Sequence, residues 1–235
     1  MFLSQSEIAT WARCPRKWFL DYYLGFQPAD EPVTGNRQLG TRVHTALEGH
    51  FGYGLDPIKV LGLLYAIEIQ AHAEEEIELK NEMALAMIMV SGYLEWLASE
   101  GKDAGLRMLA SEADIQVPLP GTDVILRGRI DTVIQQESDG ALLFRDFKTA
   151  GGFDKHEVLE MDPQFRFYAL LFFMGAGHGE PVPGMELRPD LPVVLGGIMD
   201  TLRRVKRTSA SKPPYYQRDD VSYNIEDLHS TLLKT

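Results

Sequence analysis

Cysteine is almost absent from this chain: Cys14 is the only one in 235 residues. One thiol cannot close an internal disulfide, and it excludes zinc fingers and any four-cysteine cluster. It also points to a reducing, cytoplasmic setting. Long apolar runs are missing too. The longest, 83–90 and 167–177, are too short to span a bilayer. The opening Met-Phe-Leu-Ser-Gln-Ser-Glu has no basic region and no cleavable apolar core, so secretion is not expected. Positive charge is scarce: 23 basic residues stand against 34 acidic ones, a net charge of −11. A protein held to nucleic acid by its overall field would be basic. A nucleic-acid role must therefore come from a local site, with a bound metal as the natural means. There is no internal repeat and no low-complexity tract. What remains is ordinary globular composition, enough at this length to bury roughly 70% of the unfolded surface without staples.

The chain changes grammar near residue 105. Before it, helical signals dominate. Ser4 or Ser6 can cap a first helix with Glu7 in its first turn, carrying Ile8, Trp11, Trp18, Phe19, Tyr22 and Tyr23 and stopping near Gly25. A loop rich in proline and glycine follows. Further helices are expected at 39–51, from Asp56-Pro57 through Gln70 and into the acidic 71–76, and over about 81–100. After residue 105 the segments 110–117, 124–135 and 141–149 read as three strands joined by tight turns at 121–123 and 138–140. An apolar helix opens at Asp162-Pro163 and a proline-rich loop spans 180–192. A strand is expected at 193–205 and a capped helix near Asn224. This order predicts an α+β fold, a mixed sheet flanked by helices. We expect one domain over 1–235, with a mainly helical section at 1–106 and a sheet core with its C-terminal helix at 107–235.

Four places carry potential chemistry. Along 141–149, Leu142, Phe144, Asp146 and Lys148 share one strand face. An acid and a base at the end of an apolar face are costly to desolvate unless compensated. The compensation is either a salt bridge, to each other or to neighbours, or a divalent cation on Asp146 with Lys148 beside it. Asp131 falls inside a strongly strand-like run, where aspartate is a poor choice. Either Arg129 or Arg145 pairs with it, or it shares an ion with Asp146 on the neighbouring strand. Gly128, three residues earlier, fits close backbone approach or a bulge. His44 and Glu48 lie on one helical face, with Gly40 at the helix head permitting close packing against another backbone. Gln164 and Tyr168 share a face of an otherwise apolar helix. They are either a polar stripe reaching solvent or a hydrogen-bonding pair lining a site.

In order, these pieces read Gly-x-x-x-His, Gly-x-x-Asp, Asp-x-Lys and Gln-x-x-x-Tyr. That series resembles the PD-(D/E)XK nuclease superfamily, and within it the RecB-like branch that includes CRISPR-associated Cas-four type and phage recombination exonucleases. The resemblance runs from about Leu3 to Tyr216 and includes the opening Leu3-Ser-Gln-Ser-Glu-Ile and Cys14-Pro-Arg-Lys-Trp18. It implies a restriction-endonuclease-like mixed central sheet. It implies His44, Asp131 and Asp146 as metal ligands, the Phe147 carbonyl as another, and Glu112, read as starting the strand before Asp131, as a further acidic contributor. Lys148 would be the catalytic lysine, with Gln164 and Tyr168 as the pair that braces either the lysine or the DNA backbone. Two departures stand out. Many Cas-four type members hold an iron–sulfur cluster on four cysteines, and a chain with Cys14 alone cannot. Ile130 stands where the superfamily's name has proline.

Phosphodiester hydrolysis needs water activated at neutral pH and charge stabilised at phosphorus. Hard oxygen donors suit Mg2+, and a histidine admits Mn2+, as one or two ions. DNA contacts are expected from Arg203, Arg204, Lys206 and Arg207, in a run without acidic residues, and from Arg16 and Lys17. Trp11, Trp18, Tyr22 and Tyr23 could stack on bases, but packing in an amphipathic core is the expected use. The function expected is a metal-dependent DNA exonuclease serving end processing or recombination, in a bacterial or phage system, beside a recombination or single-strand annealing protein. The alternative is a non-catalytic nuclease-fold module that binds DNA or protein.

Overall fold

The computed structural model describes residues 1–28, 31–177 and 193–234. The loop expected at 180–192 lies outside them. The elements are β1 (Phe2–Ser4), α1 (Gln5–Arg13), α2 (Pro15–Trp18), a π-helical turn (Phe19–Tyr23), α3 (Asn36–Tyr53), α4 (Pro57–Ala71) and α5 (Glu76–Glu100). They continue with β2 (Leu106–Pro118), β3 (Ile125–Gln136), β4 (Leu142–Ala150), α6 (His156–Glu160), α7 (Pro163–Gly177), β5 (Val193–Arg203), β6 (Tyr216–Ser222) and α8 (Ile225–Lys234). The result is the expected α+β arrangement, a mixed six-stranded sheet flanked by helices. No helix of the described residues is long and apolar enough to cross a membrane.

Local chemistry sets several boundaries. Ser4 caps α1 in a reciprocal box: its Oγ accepts from the Glu7 N–H, and the Glu7 carboxylate accepts from the Ser4 N–H. Asp56 accepts from the Ile58 and Lys59 N–H groups, with Pro57 at the first helical position. The single first helix expected through Tyr23 is instead broken at Cys14, because Pro15 disfavours helical geometry in the residue before it. The acidic stretch after Ala71 does not extend α4. His72 ends that helix, and α5 starts at Glu76, five residues earlier than expected. Three short elements, β1, α6 and β6, had no hydrophobic period of their own to announce them.

The packing of β3 positions everything that follows. β2 runs antiparallel along one edge of β3, from Leu106↔Gln136 to Pro118↔Ile125. The other edge is shared. β1 pairs in parallel with Ile125–Arg127, and β4 pairs antiparallel from Gln135↔Leu142 to Thr132↔Arg145. Between those two ladders β3 has no strand neighbour on this edge among the described residues, and the gap holds Gly128 and Asp131. β4 then pairs in parallel with β5, and β5 antiparallel with β6.

A core lies on each face of the sheet. Phe144 and Met199 of the sheet cluster with Phe165 and Leu171 of α7 and Leu228 of α8. Phe147, Leu202 and Tyr216 pack against α3, α4 and α5. Gly128 allows α7 to press onto β3. A Cβ there would sit 2.6 Å from Leu171 Cδ1 and 3.1 Å from the Tyr168 ring, so this is close approach. Gly40 faces a side chain, not the backbone anticipated for it: a Cβ would lie 3.2 Å from Thr149 Oγ1.

The aromatics at the front of the chain do not join either core. Neither α1, α2 nor the π-helical turn contains a buried residue. Trp11 is 54% exposed and Tyr23 70%. The expectation of core packing for this group is therefore corrected. Pro15 turns the chain after one short helix, and only Ile8 of α1 packs against the core beneath α7.

Candidate active site

The site lies where β3 and β4 part. In register, the next pair after Thr132↔Arg145 is Asp131 opposite Asp146, and there the ladder stops. The Asp131 carboxylate substitutes for the missing main-chain partner. Its Oδ2 accepts the Phe147 N–H at 2.7 Å. The same oxygen is 3.2 Å from His44 Nδ1, delivered from the middle of α3. Aspartate is tolerated mid-strand here because it replaces a strand hydrogen bond and does not merely interrupt one. The arginine partners considered for it are engaged elsewhere. Arg129 pairs with Glu112 and lies 3.9 Å from Glu48. Arg145 pairs with Asp103 at 2.7 Å.

His44, Asp131, Asp146, Phe147, Lys148 and Gln164 line one cavity of about 320 Å³, together with Thr149, Asp162, Phe165 and Met199. A second cleft opens beside it, lined by Gly40, His44, Glu48, Glu112, Arg129 and Asp131 among others. Glu112 is inside β2, not at its start: Ser111↔Thr132 and Ala113↔Ile130 place it across from Asp131. Its φ of 52° is the sole positive value among described non-glycine residues. That left-handed backbone is costly for such a residue and tends to persist at functional sites.

Electrostatically the cluster is short of positive charge. Asp146 is held well above the usual carboxylate range by burial and then by the charge of Asp131. Glu112 is pushed up to about 7 by burial and by Asp131, with Arg129 pulling the other way. Burial opposes charge on His44. The hydrogen bond to Asp131, its charge and those of Asp146 and Glu112 outweigh this and raise the imidazole to about 9. Tyr168 rises to about 12 through burial and the charge of Asp146.

Lys148 pairs with neither Asp131 nor Asp146. Its Nζ stands 3.6 Å from Asp154 and 3.5 Å from Asp162. In the sequence Asp162 shows only its role at the head of α7. One oxygen accepts the Gln164 and Phe165 N–H groups at 2.9 and 3.0 Å, while the other faces Lys148. The Asp-Pro opening of α7 was the available signal. Gln164 donates to Tyr168 Oη at 3.0 Å, so the two act as a pair.

The expected DNA contacts are scattered. Arg203 and Arg204 continue β5 beyond Thr201, the partner of Lys148, and the Arg204 N–H donates to Ala150 at the end of β4. The Arg203 guanidinium is engaged by the Lys212 and Pro214 carbonyls. Arg207 is turned onto Tyr215 and Tyr216, beside Gly92 and Glu95 of α5, in a cavity separate from that of Asp146. Lys206, Arg16 and Lys17 are exposed, with Lys17 paired to Asp21 at 2.5 Å.

Among the described residues no three His, Cys, Asp or Glu side chains form a ready-made metal cage. The donors nevertheless fit a hard divalent cation in kind. Three carboxylates and one imidazole meet across two adjoining clefts with mutual repulsion that His44 and Arg129 only partly offset.

Comparison with known proteins bears on this arrangement. A family model, that of the PD-(D/E)XK nuclease superfamily, matches residues 2–221. Nothing among the curated proteins matches. Solved structures do, including one titled "Crystal structure of SSO0001", which is 12% identical over 93% of this chain and 80% of its own, with a TM-score of 0.33.

Proposed function

The chain belongs to the PD-(D/E)XK nuclease superfamily, a family of metal-dependent nucleases, and from that premise we propose that it is a deoxyribonuclease that degrades DNA from its ends. The observation that carries the reading is the convergence of His44, Asp131, Asp146, Lys148 and Gln164 on one cavity at the fork of β3 and β4. We assign the whole chain to one nuclease domain of the RecB-like branch. The same resemblance supports a place in end processing or recombination in the cytoplasm of a bacterial or phage-infected cell, beside an annealing protein.

His44, Asp131, Asp146, the Phe147 carbonyl and Glu112 are the groups that would hold Mg2+ or Mn2+, which when bound acidifies water and withdraws charge from phosphate. Asp131 also acts structurally. Through the Phe147 N–H it fixes where β4 leaves β3, and so where Asp146 and Lys148 stand. Lys148 orients the attacking water and offsets charge that develops on the phosphorus oxygens. Asp154 and Asp162 hold its ammonium at the cavity wall until an anionic substrate competes for it. Gln164 and Tyr168, one turn apart, present an amide and a hydroxyl to the scissile strand. Arg203, the last residue of β5, and Arg204 and Lys206 beyond it are assigned to phosphates further along the same strand.

The test is degradation of end-labelled linear DNA and covalently closed circles in Mg2+, Mn2+ or EDTA, with wild type and Lys148→Ala. Metal-dependent loss of linear DNA alone, absent in the variant, is expected, and the label position reports polarity. Cutting of closed circles would make the protein an endonuclease. DNA binding without cleavage in any metal would overturn the enzyme reading in favour of a binding module.

A further inference from the structure

We propose that the exposed aromatic segment at the front of the chain is a platform on which the bases of a single DNA strand stack on their way to the Asp146 cavity; this rests on the reading of the chain as a DNA nuclease. From α1 to the π-helical turn no side chain is buried, yet the segment is rich in aromatics. Trp11, Phe19, Tyr22, Tyr23 and Phe26 are each more than 40% exposed. They are ordered among themselves: Trp11 meets Trp18 edge to face at 5.2 Å, and Phe19 stacks on Tyr23 at 5.0 Å and 16°. Leaving such planar surfaces in water costs free energy that a core position would recover.

Charge selects the occupant. Residues 1–28 carry three basic side chains, Arg13, Arg16 and Lys17, against Glu7 and Asp21, in a chain whose net charge is −11. Glu7 is engaged by Ser4, and Asp21 and Lys17 pair with each other, which leaves Arg13 and Arg16 to meet phosphates. Flat aromatic faces interleaved with cations match alternating bases and phosphates. In a duplex the bases offer edges and not faces, so the fit is to a single strand.

The head of α1, one helix length before the platform, adjoins the Asp146 cavity through a further cleft. A cleft of about 420 Å³ lies between the first turn of α1 and the gap in β3, lined by Ser4, Ser6, Arg127, Arg129, Gln164 and Tyr168 among others. Gln164 lines the Asp146 cavity as well. Trp11 follows Gln5, at the rim of that cleft, by six residues of helix, a distance of about 9 Å.

Binding of labelled oligothymidylate and of a blunt DNA hairpin, measured in EDTA so that no cleavage intervenes, separates the outcomes. The Trp11→Ala/Tyr23→Ala variant should lose about tenfold or more in affinity for oligothymidylate and nothing for the hairpin, and the Trp11→Phe/Tyr23→Phe variant should retain most of the wild-type affinity. Equal affinity of the alanine variant and wild type for oligothymidylate overturns the platform. So does an equal loss for both ligands. A loss accompanied by a change in sedimentation from dimer to monomer also overturns it, because the aromatic face then joins two copies of the chain. Wild type that binds oligothymidylate through these residues but degrades no linear DNA would remove the nuclease reading and leave the platform standing.

Discussion

Arg145 and Asp146 are neighbours on β4 and point to opposite faces of the sheet, each into its own cluster of charges. The Arg145 cluster is deep and balanced. Asp200, fully buried, accepts from Arg218 Nε and Nη2 at 2.7 and 2.6 Å and from Tyr93 Oη at 2.6 Å. Asp103 takes Arg145 and Arg218 at 2.7 and 2.9 Å. Two arginines meet two aspartates, and the Arg145 guanidinium also lies over the Phe51 and Phe147 rings. The Asp146 cluster, by contrast, sets three carboxylates against His44 and an exposed Arg129. Burial alone therefore does not single out the site proposed here, since the Arg145 cluster is the more buried of the two. The mark is an imbalance of charge left standing where the strands separate.

The comparison can be broken at either cluster. The largest expected effect is on stability. Asp200→Ala strands two buried guanidinium groups and should destabilise the fold by about 3–5 kcal/mol, read by urea denaturation. Asp146→Asn should act in the opposite sense. It should lower metal-dependent DNA cleavage by about a hundredfold or more, while the melting temperature without metal rises because one repelling charge is gone. A fall in melting temperature like that of Asp200→Ala would abolish the distinction between the clusters. Divalent metal sharpens it further: at a hundred times its dissociation constant, Mn2+ should stabilise wild type by about 2.7 kcal/mol. The gain should vanish in Asp131→Asn/Asp146→Asn and persist in Arg145→Lys, as scanning calorimetry would show. The smallest effect is expected at Gly128→Ala. The new methyl meets Leu171 and Tyr168 and should cost about 1–3 kcal/mol, with cleavage falling as Tyr168 is displaced.

Much of the candidate site was legible because its residues break local rules. Asp131 in a strand, Asp146 with Lys148 at the end of an apolar face, and the Gln164–Tyr168 pair on an apolar helix each conflict with their surroundings. The structure brings His44, Asp131, Asp146, Phe147, Lys148 and Gln164 to one cavity. Asp162 stayed hidden because capping α7 already accounted for it, and its second oxygen reaches Lys148 only through the fold. Arg207 shows what a basic run does not reveal: its guanidinium lies over the rings of Tyr215 and Tyr216. The strands β1 and β6 were not legible, since one is three residues long and the other is a polar edge strand.

Alternation and capping are properties of neighbouring residues, so the sequence by itself determined the change from helices to strands near residue 105, the start of α4 at Pro57 and of α7 at Pro163, and the shared face of Phe144, Asp146 and Lys148. On the same footing, a chain with Cys14 alone cannot supply the four cysteines of an iron–sulfur site. Only the tertiary structure decided that β1 and β4 share one edge of β3, and hence that a gap opens at Asp131. It also decided which carboxylates are neutralised, those around Arg145 and Arg218, and which are left in excess around Asp146. Both outcomes depend on groups far apart in the chain, Asp103 with Arg218 and His44 with Asp131, and no local pattern encodes a distance between them.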